Sequence, residues 1–83
     1  MVPTVLRFDG LRVVIYPNDH RPAHVHVIGQ GREALFNLNC LAGPVDLREN
    51  YRFSRREIAK IEIGLTEHLE ELCRRWEEIH GIA

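Results

Sequence analysis

From Ser54 onward the chain spells one long amphipathic helix, and that element constrains everything placed before it. Ser54-Arg55-Arg56-Glu57 has the form of a capping box, in which the serine side chain takes the N3 amide and the glutamate reaches back to the cap amide. Phe53 and Ile58 occupy the two positions of a hydrophobic staple. Ile58, Ile61, Leu65, Leu69, Leu72, Trp76 and Ile79 then recur at spacings of three and four, which gathers them into one apolar stripe. Glu70 with Arg74 and Glu71 with Arg75 are favourable pairs on the polar side, and Gly81 suits a C-terminal stop. The spacing predicts one helix over about 55–80. Unbroken, it would run roughly 39 Å, whereas strands of five to six residues span only about 17–20 Å. Either the helix bends near Gly64, or its second half packs against another chain. The expected partner is therefore a second copy (a homo-oligomer) or a small partner protein, bound through this helix.

Upstream, short alternating runs separated by turn residues predict antiparallel hairpins. Thr4–Phe8 and Leu11–Tyr16 flank Asp9-Gly10, a pair suited to a two-residue type I′ turn because both positions need positive φ. That register sets Phe8 opposite Leu11 and Leu6 opposite Val13, with Arg7 and Arg12 on the other face. Pro17 to Pro22 forms a stiff loop. Ala23–Ile28 is the third strand, Gly29-Gln30-Gly31 turns the chain, and Arg32–Leu38 is the fourth. Val45–Leu47 is a short fifth. The expected fold class is α+β: an antiparallel sheet of four to five strands over about 4–47, followed by the one long C-terminal helix.

A chain of 83 residues holds one domain, 1–83, with one modest core. Cys40 and Cys73 form no CxxC pattern and no disulfide framework, and are expected as two ordinary thiols in a reducing cytosol. The start of the chain lacks a basic region followed by an apolar run, and no stretch approaches the roughly 20 apolar residues of a membrane helix. The expected location is cytoplasmic, with no membrane partner. A net charge of −1 excludes a general nucleic-acid coat, which carries a basic surplus. Lys60 is the single lysine among the 11 basic residues; the rest are arginines, which suit bidentate binding of phosphate or carboxylate.

The residues that can carry chemistry lie between Asn18 and Val27. His20, His24 and His26 fall within seven residues, beside Asp19 and Arg21. His24 and His26, two apart on a strand, share one face with α-carbons roughly 6.8 Å apart. Alternation places them opposite Val25 and Val27, facing outward with Glu33 and Leu35. Three readings stand side by side. One is a metal-free acid/base centre on RNA phosphodiesters, with Asp19, His20, His24 and His26 as the catalytic groups and Arg21 on the phosphate, histidine titrating near working pH. Another is a transition-metal site of His24 and His26, completed by Glu33, Asp19 or His20. The third is a solvated histidine face that shapes a protein-binding patch. No Walker loop, GxSxG, GxGxxG or HExxH is present.

Pro3-Thr4-Val5-Leu6-Arg7, the run Asn18-Asp19-His20-x-Pro22-x-His24-Val25-His26-Val27, and Asn50 ahead of Phe53-Ser54-x-x-Glu57 resemble a small prokaryotic family, domain of unknown function family 4160. The resemblance covers nearly the whole chain, and the histidine run is its most specific part. It implies a stand-alone protein that forms half of a two-gene module reminiscent of toxin–antitoxin pairs, with a second small protein as partner. It implies no reaction. The sequence departs from the family in a longer Asn39–Pro44 link and in Tyr51-Arg52, where a glycine is frequent.

Overall fold

The computed structural model describes residues 4–81. Five strands, β1 (Thr4–Phe8), β2 (Leu11–Val14), β3 (His24–Gly29), β4 (Arg32–Asn37) and β5 (Asp46–Tyr51), precede two helices, α1 (Arg55–Glu67) and α2 (Leu69–His80). The strands form one antiparallel meander in chain order. Pro3, the first residue of the resembling segment, lies outside the described residues.

Turn chemistry sets the registers. Asp9 and Gly10 have φ of 53° and 75°, and the turn pairs Phe8 with Leu11, Arg7 with Arg12 and Leu6 with Val13, as expected of an Asp-Gly hairpin. Gln30 and Gly31 repeat the device at φ 55° and 74°. Gly29 therefore pairs with Arg32, and the ladder continues to His26 with Leu35 and His24 with Asn37. The fifth strand is longer and later than Val45–Leu47. All six of its residues are exposed, so apolar alternation did not mark it; backbone pairing to β4 defines this edge strand.

One face of the sheet packs on the helices. Val13, Val25, Val27, Ala34, Phe36 and Leu38 join Phe53, Ile58, Ile61, Leu65, Leu72 and Trp76 in a single core. The capping box is formed as the sequence implies: the Glu57 amide donates to Ser54 Oγ at 3.1 Å, and the Ser54 amide donates to Glu57 Oε1 at 2.8 Å. Asn50 closes the strand-to-helix corner by exchanging hydrogen bonds with the Phe53 backbone.

The single long helix is corrected to two. The interruption falls at His68, where φ is −117° and ψ is 19°, and not at Gly64. His68 Nδ1 donates to the Gly64 carbonyl at 2.9 Å, so a side chain satisfies a carbonyl at the break. Gly64 instead admits Phe8: a Cβ there would lie 2.6 Å from the Phe8 ring. With the helix interrupted, Leu72, Cys73 and Trp76 are all buried within the same chain. The overhang that argued for a partner on the helix does not arise.

The cysteines are also corrected. Cys40 and Cys73 form a disulfide across 33 residues of sequence, tying the β4–β5 connection to α2. Nothing in their local sequence reports this proximity, which tertiary structure alone creates. The bond also removes the thiol-based argument for a reducing compartment. No helix among the described residues is long and apolar enough to cross a membrane.

Candidate metal centre

On the face of the sheet turned away from the helices, strand alternation presents His24 and His26 beside each other. Their cross-strand partners are Asn37 and Leu35 on β4, and His26 also pairs with Val14 on β2. The two histidines share the expected face, but the solvation that the third reading assumed is absent. His24 is 4% exposed and the His26 side chain 12%. The reason is the Pro17–Pro22 loop. The Asp19 amide donates to the Tyr16 carbonyl at 3.0 Å, closing a turn with proline at its second position, where the fixed φ of proline is favoured. The chain then doubles back over β3. Tyr16 sets its ring edge-on to His26 with centroids 4.5 Å apart, and Asp19 descends onto both histidines.

Each imidazole is oriented through Nδ1. His24 Nδ1 donates to the Pro22 carbonyl at 2.9 Å. His26 Nδ1 donates to Glu33 Oε2, also at 2.9 Å. A carbonyl and a carboxylate only accept, so both rings carry hydrogen on Nδ1. Both Nε2 atoms point at the same place, each as a lone pair if its ring is neutral or as an N–H donor if it is protonated. There Asp19 Oδ2 lies 3.2 Å from His24 Nε2 and 3.0 Å from His26 Nε2. The ligand atoms of Asp19, His24 and His26 all fall within 4.8 Å of one another. Two lone pairs and a carboxylate oxygen facing one another repel unless a cation sits among them, either a proton on the rings or a metal ion.

The two nitrogen–oxygen distances suit an N–H···O hydrogen bond, and they suit shared ligation of a metal ion as well. Metal–nitrogen and metal–oxygen bonds of about 2.0–2.2 Å imply neighbouring ligand atoms about 3 Å apart in octahedral and about 3.4 Å apart in tetrahedral coordination. Imidazoles that ligate through one nitrogen while the other donates to a carbonyl or carboxylate are the usual arrangement around protein-bound metals. Glu33 thus stands behind His26 as an orienting group, on the nitrogen opposite the convergence point.

The other candidates are placed elsewhere. His20 is exposed on the loop. Arg21 pairs with Glu77 of α2 at 3.3 Å and lies over the Trp76 ring, 4.9 Å from its centroid. The structure therefore brings together Asp19, His24, His26 and Glu33, and leaves Arg21 and His20 out of the cluster. Sequence reasoning missed the Pro22 carbonyl, Tyr16 and Asn37. For Asn37 a signal existed: a two-residue Gln30-Gly31 turn sets it directly opposite His24.

Two ionisations are shifted, and one of them belongs to Tyr51, the cross-strand partner of Glu33. Tyr51 is raised above its ordinary value of 10.0, chiefly by donating its hydroxyl hydrogen to Glu49. Glu57 is lowered, chiefly by the Ser54 backbone amide that donates to it.

No curated protein and no solved structure matches the chain. The model of one family, described as a domain of unknown function (DUF4160), does match over residues 10–77, a span that holds strands β2 to β5, the histidine run, all of α1 and most of α2. The chain belongs to that family.

Proposed function

We propose that this domain binds one divalent first-row transition metal ion through Asp19, His24 and His26, with Glu33 and the Pro22 carbonyl orienting the two imidazoles. The observation that carries it is the convergence of two Nε2 atoms on one carboxylate oxygen, with both Nδ1 atoms already committed as donors. Two histidines and one carboxylate on one side of an ion leave its other positions for water or a substrate. That is the arrangement of reactive centres rather than of closed structural ones.

The acid/base reading on RNA phosphodiesters uses the same two histidines. It relied on Arg21 to hold the phosphate, and that guanidinium is engaged by Glu77 and Trp76. A metal ion at the three ligands would supply the missing positive charge, so any chemistry on a phosphodiester would run through the metal. The resemblance to two-gene modules is what supports a toxin–antitoxin-like role.

The test is elemental analysis of untagged protein, together with calorimetric titration of the chelator-treated protein with zinc, manganese, iron(II) and nickel. The expected result is one ion per chain for at least one of these metals, abolished in Asp19→Ala, His24→Ala and His26→Ala. Wild-type protein that takes up none of the four would sink the proposal.

A further inference from the structure

Asn37 is the cross-strand partner of His24 and has a buried atom with nothing to bond. Its Oδ1 is shielded from solvent and, among the described residues, has no hydrogen-bond partner. Buried polar atoms in folded proteins are nearly always paired, and an unpaired one marks a missing water, an ion or a functional role. Its position is set by register. The Leu38 amide donates to the Ala23 carbonyl at 3.0 Å, which makes Ala23 and Leu38 a hydrogen-bonded pair. The next pair along the ladder, His24 with Asn37, is then of the non-hydrogen-bonded kind. In that kind of pair the α-carbons approach to about 4.5 Å and the side chains are closest. Asn37 thus stands immediately beside the imidazole whose Nε2 enters the proposed centre.

We propose that Asn37 Oδ1 is the fourth protein ligand of that metal, making a set of two imidazoles, one carboxylate and one carboxamide. This rests on the metal reading above. A neutral oxygen adds coordination without adding charge, so a divalent ion held by one carboxylate keeps a net positive charge. The ion then attracts an anionic fifth ligand such as a carboxylate or a phosphate. The same feature explains why the orphan acceptor is kept: it costs stability in the metal-free protein and gains its partner when the ion binds.

The test compares wild type with Asn37→Leu and Asn37→Asp, measuring zinc and manganese affinity by calorimetry and the melting temperature of the metal-free protein. Leucine has nearly the shape of asparagine and no acceptor. It is expected to weaken metal binding by about 10- to 100-fold while leaving the metal-free protein as stable as wild type or more so. Aspartate restores an oxygen at the same place and is expected to bind at least as tightly as wild type. A structural asparagine would behave in the opposite way, with Asn37→Leu melting lower and binding metal unchanged, and that result overturns the assignment while leaving the three-ligand site intact. If wild-type protein binds no metal, both proposals fall together.

Discussion

Breaking the Cys40–Cys73 bond should destabilise the domain heavily, and the size of the effect follows from how much chain the bond closes. The two residues are 33 apart. Closing a loop of that length removes roughly 12–13 cal/mol/K from the unfolded ensemble, or about 3.7 kcal/mol at 25 °C. A domain of this size has a total stability of about 4–12 kcal/mol. At about 4–8 °C per kcal/mol, the melting temperature should fall by about 15–30 °C. Cys40→Ser is the cleaner variant, because Cys40 is exposed whereas Cys73 is 3% exposed, and a free Cys73 still packs as a small apolar residue. The assay is thermal denaturation by circular dichroism of wild type, of wild type in excess dithiol, and of Cys40→Ser. Dithiol and the substitution should lower the transition by similar amounts, and dithiol should not move the variant further. Wild-type protein titrating two free thiols when denatured without reductant, or a transition that dithiol moves by under about 2 °C, would refute the reasoning.

Two further outcomes follow from packing and charge. Gly64→Ala adds a Cβ at 2.6 and 2.8 Å from Phe8 ring atoms. The resulting overpacking, about 1–3 kcal/mol, should outweigh the gain in helix propensity of about 1 kcal/mol, so urea midpoints should drop and recover in part when Phe8→Leu is added. A stabilised Gly64→Ala would show that β1 yields freely. Glu57 sits below its ordinary value of 4.5 in the folded chain, so in acid the unfolded state binds the proton first. Its contribution is complete above that ordinary value and is lost as pH falls through the depressed folded one. Glu57→Gln should therefore differ from wild type at neutral pH and converge with it at the acid end, as read from urea midpoints against pH. Parallel curves would sink this account.

How far the fold was legible depended on whether the signal was local. Asp9-Gly10 and the Ser54–Glu57 box carry their own geometry, and the structure returns both with the expected pairings. Strand alternation put His24 and His26 on one face for the same reason, since a period of two admits no other result. Legibility ended where distant segments decide. The burial of the histidines depends on the course of the Pro17–Pro22 loop, and the Cys40–Cys73 bond depends on how α2 crosses the β4–β5 connection. At His68 a histidine without proline or glycine beside it interrupts the stripe, so the heptad-like spacing runs through the break unchanged. At β5 an edge strand with no buried face left no hydrophobic pattern to read. Arg21 was misjudged by proximity: two residues from Asp19 in sequence, its guanidinium is drawn to Glu77 and the Trp76 ring instead.

That placement of Arg21 connects the candidate centre to the rest of the molecule. Two of the three proposed ligands belong to β3 and are located by the sheet ladder, but Asp19 belongs to a loop. Besides the Asp19 carboxylate on the two histidines, three contacts hold that loop among the described residues: the Asp19 amide on the Tyr16 carbonyl, the Pro22 carbonyl on His24 Nδ1, and Arg21 on α2 through Glu77 and Trp76. The first two are local, joining residues two or three apart in sequence. The third reaches into α2, the helix that Cys73 ties to the β4–β5 connection. An exposed ion pair contributes little by itself, yet with the guanidinium also lying over a buried tryptophan the loop gains a second point of attachment outside the sheet. In the proposed centre one strand, β3, would supply both nitrogens, and a loop clamped at both ends would supply the oxygen. Pre-positioning of this kind lets ligands capture an ion without first having to order themselves.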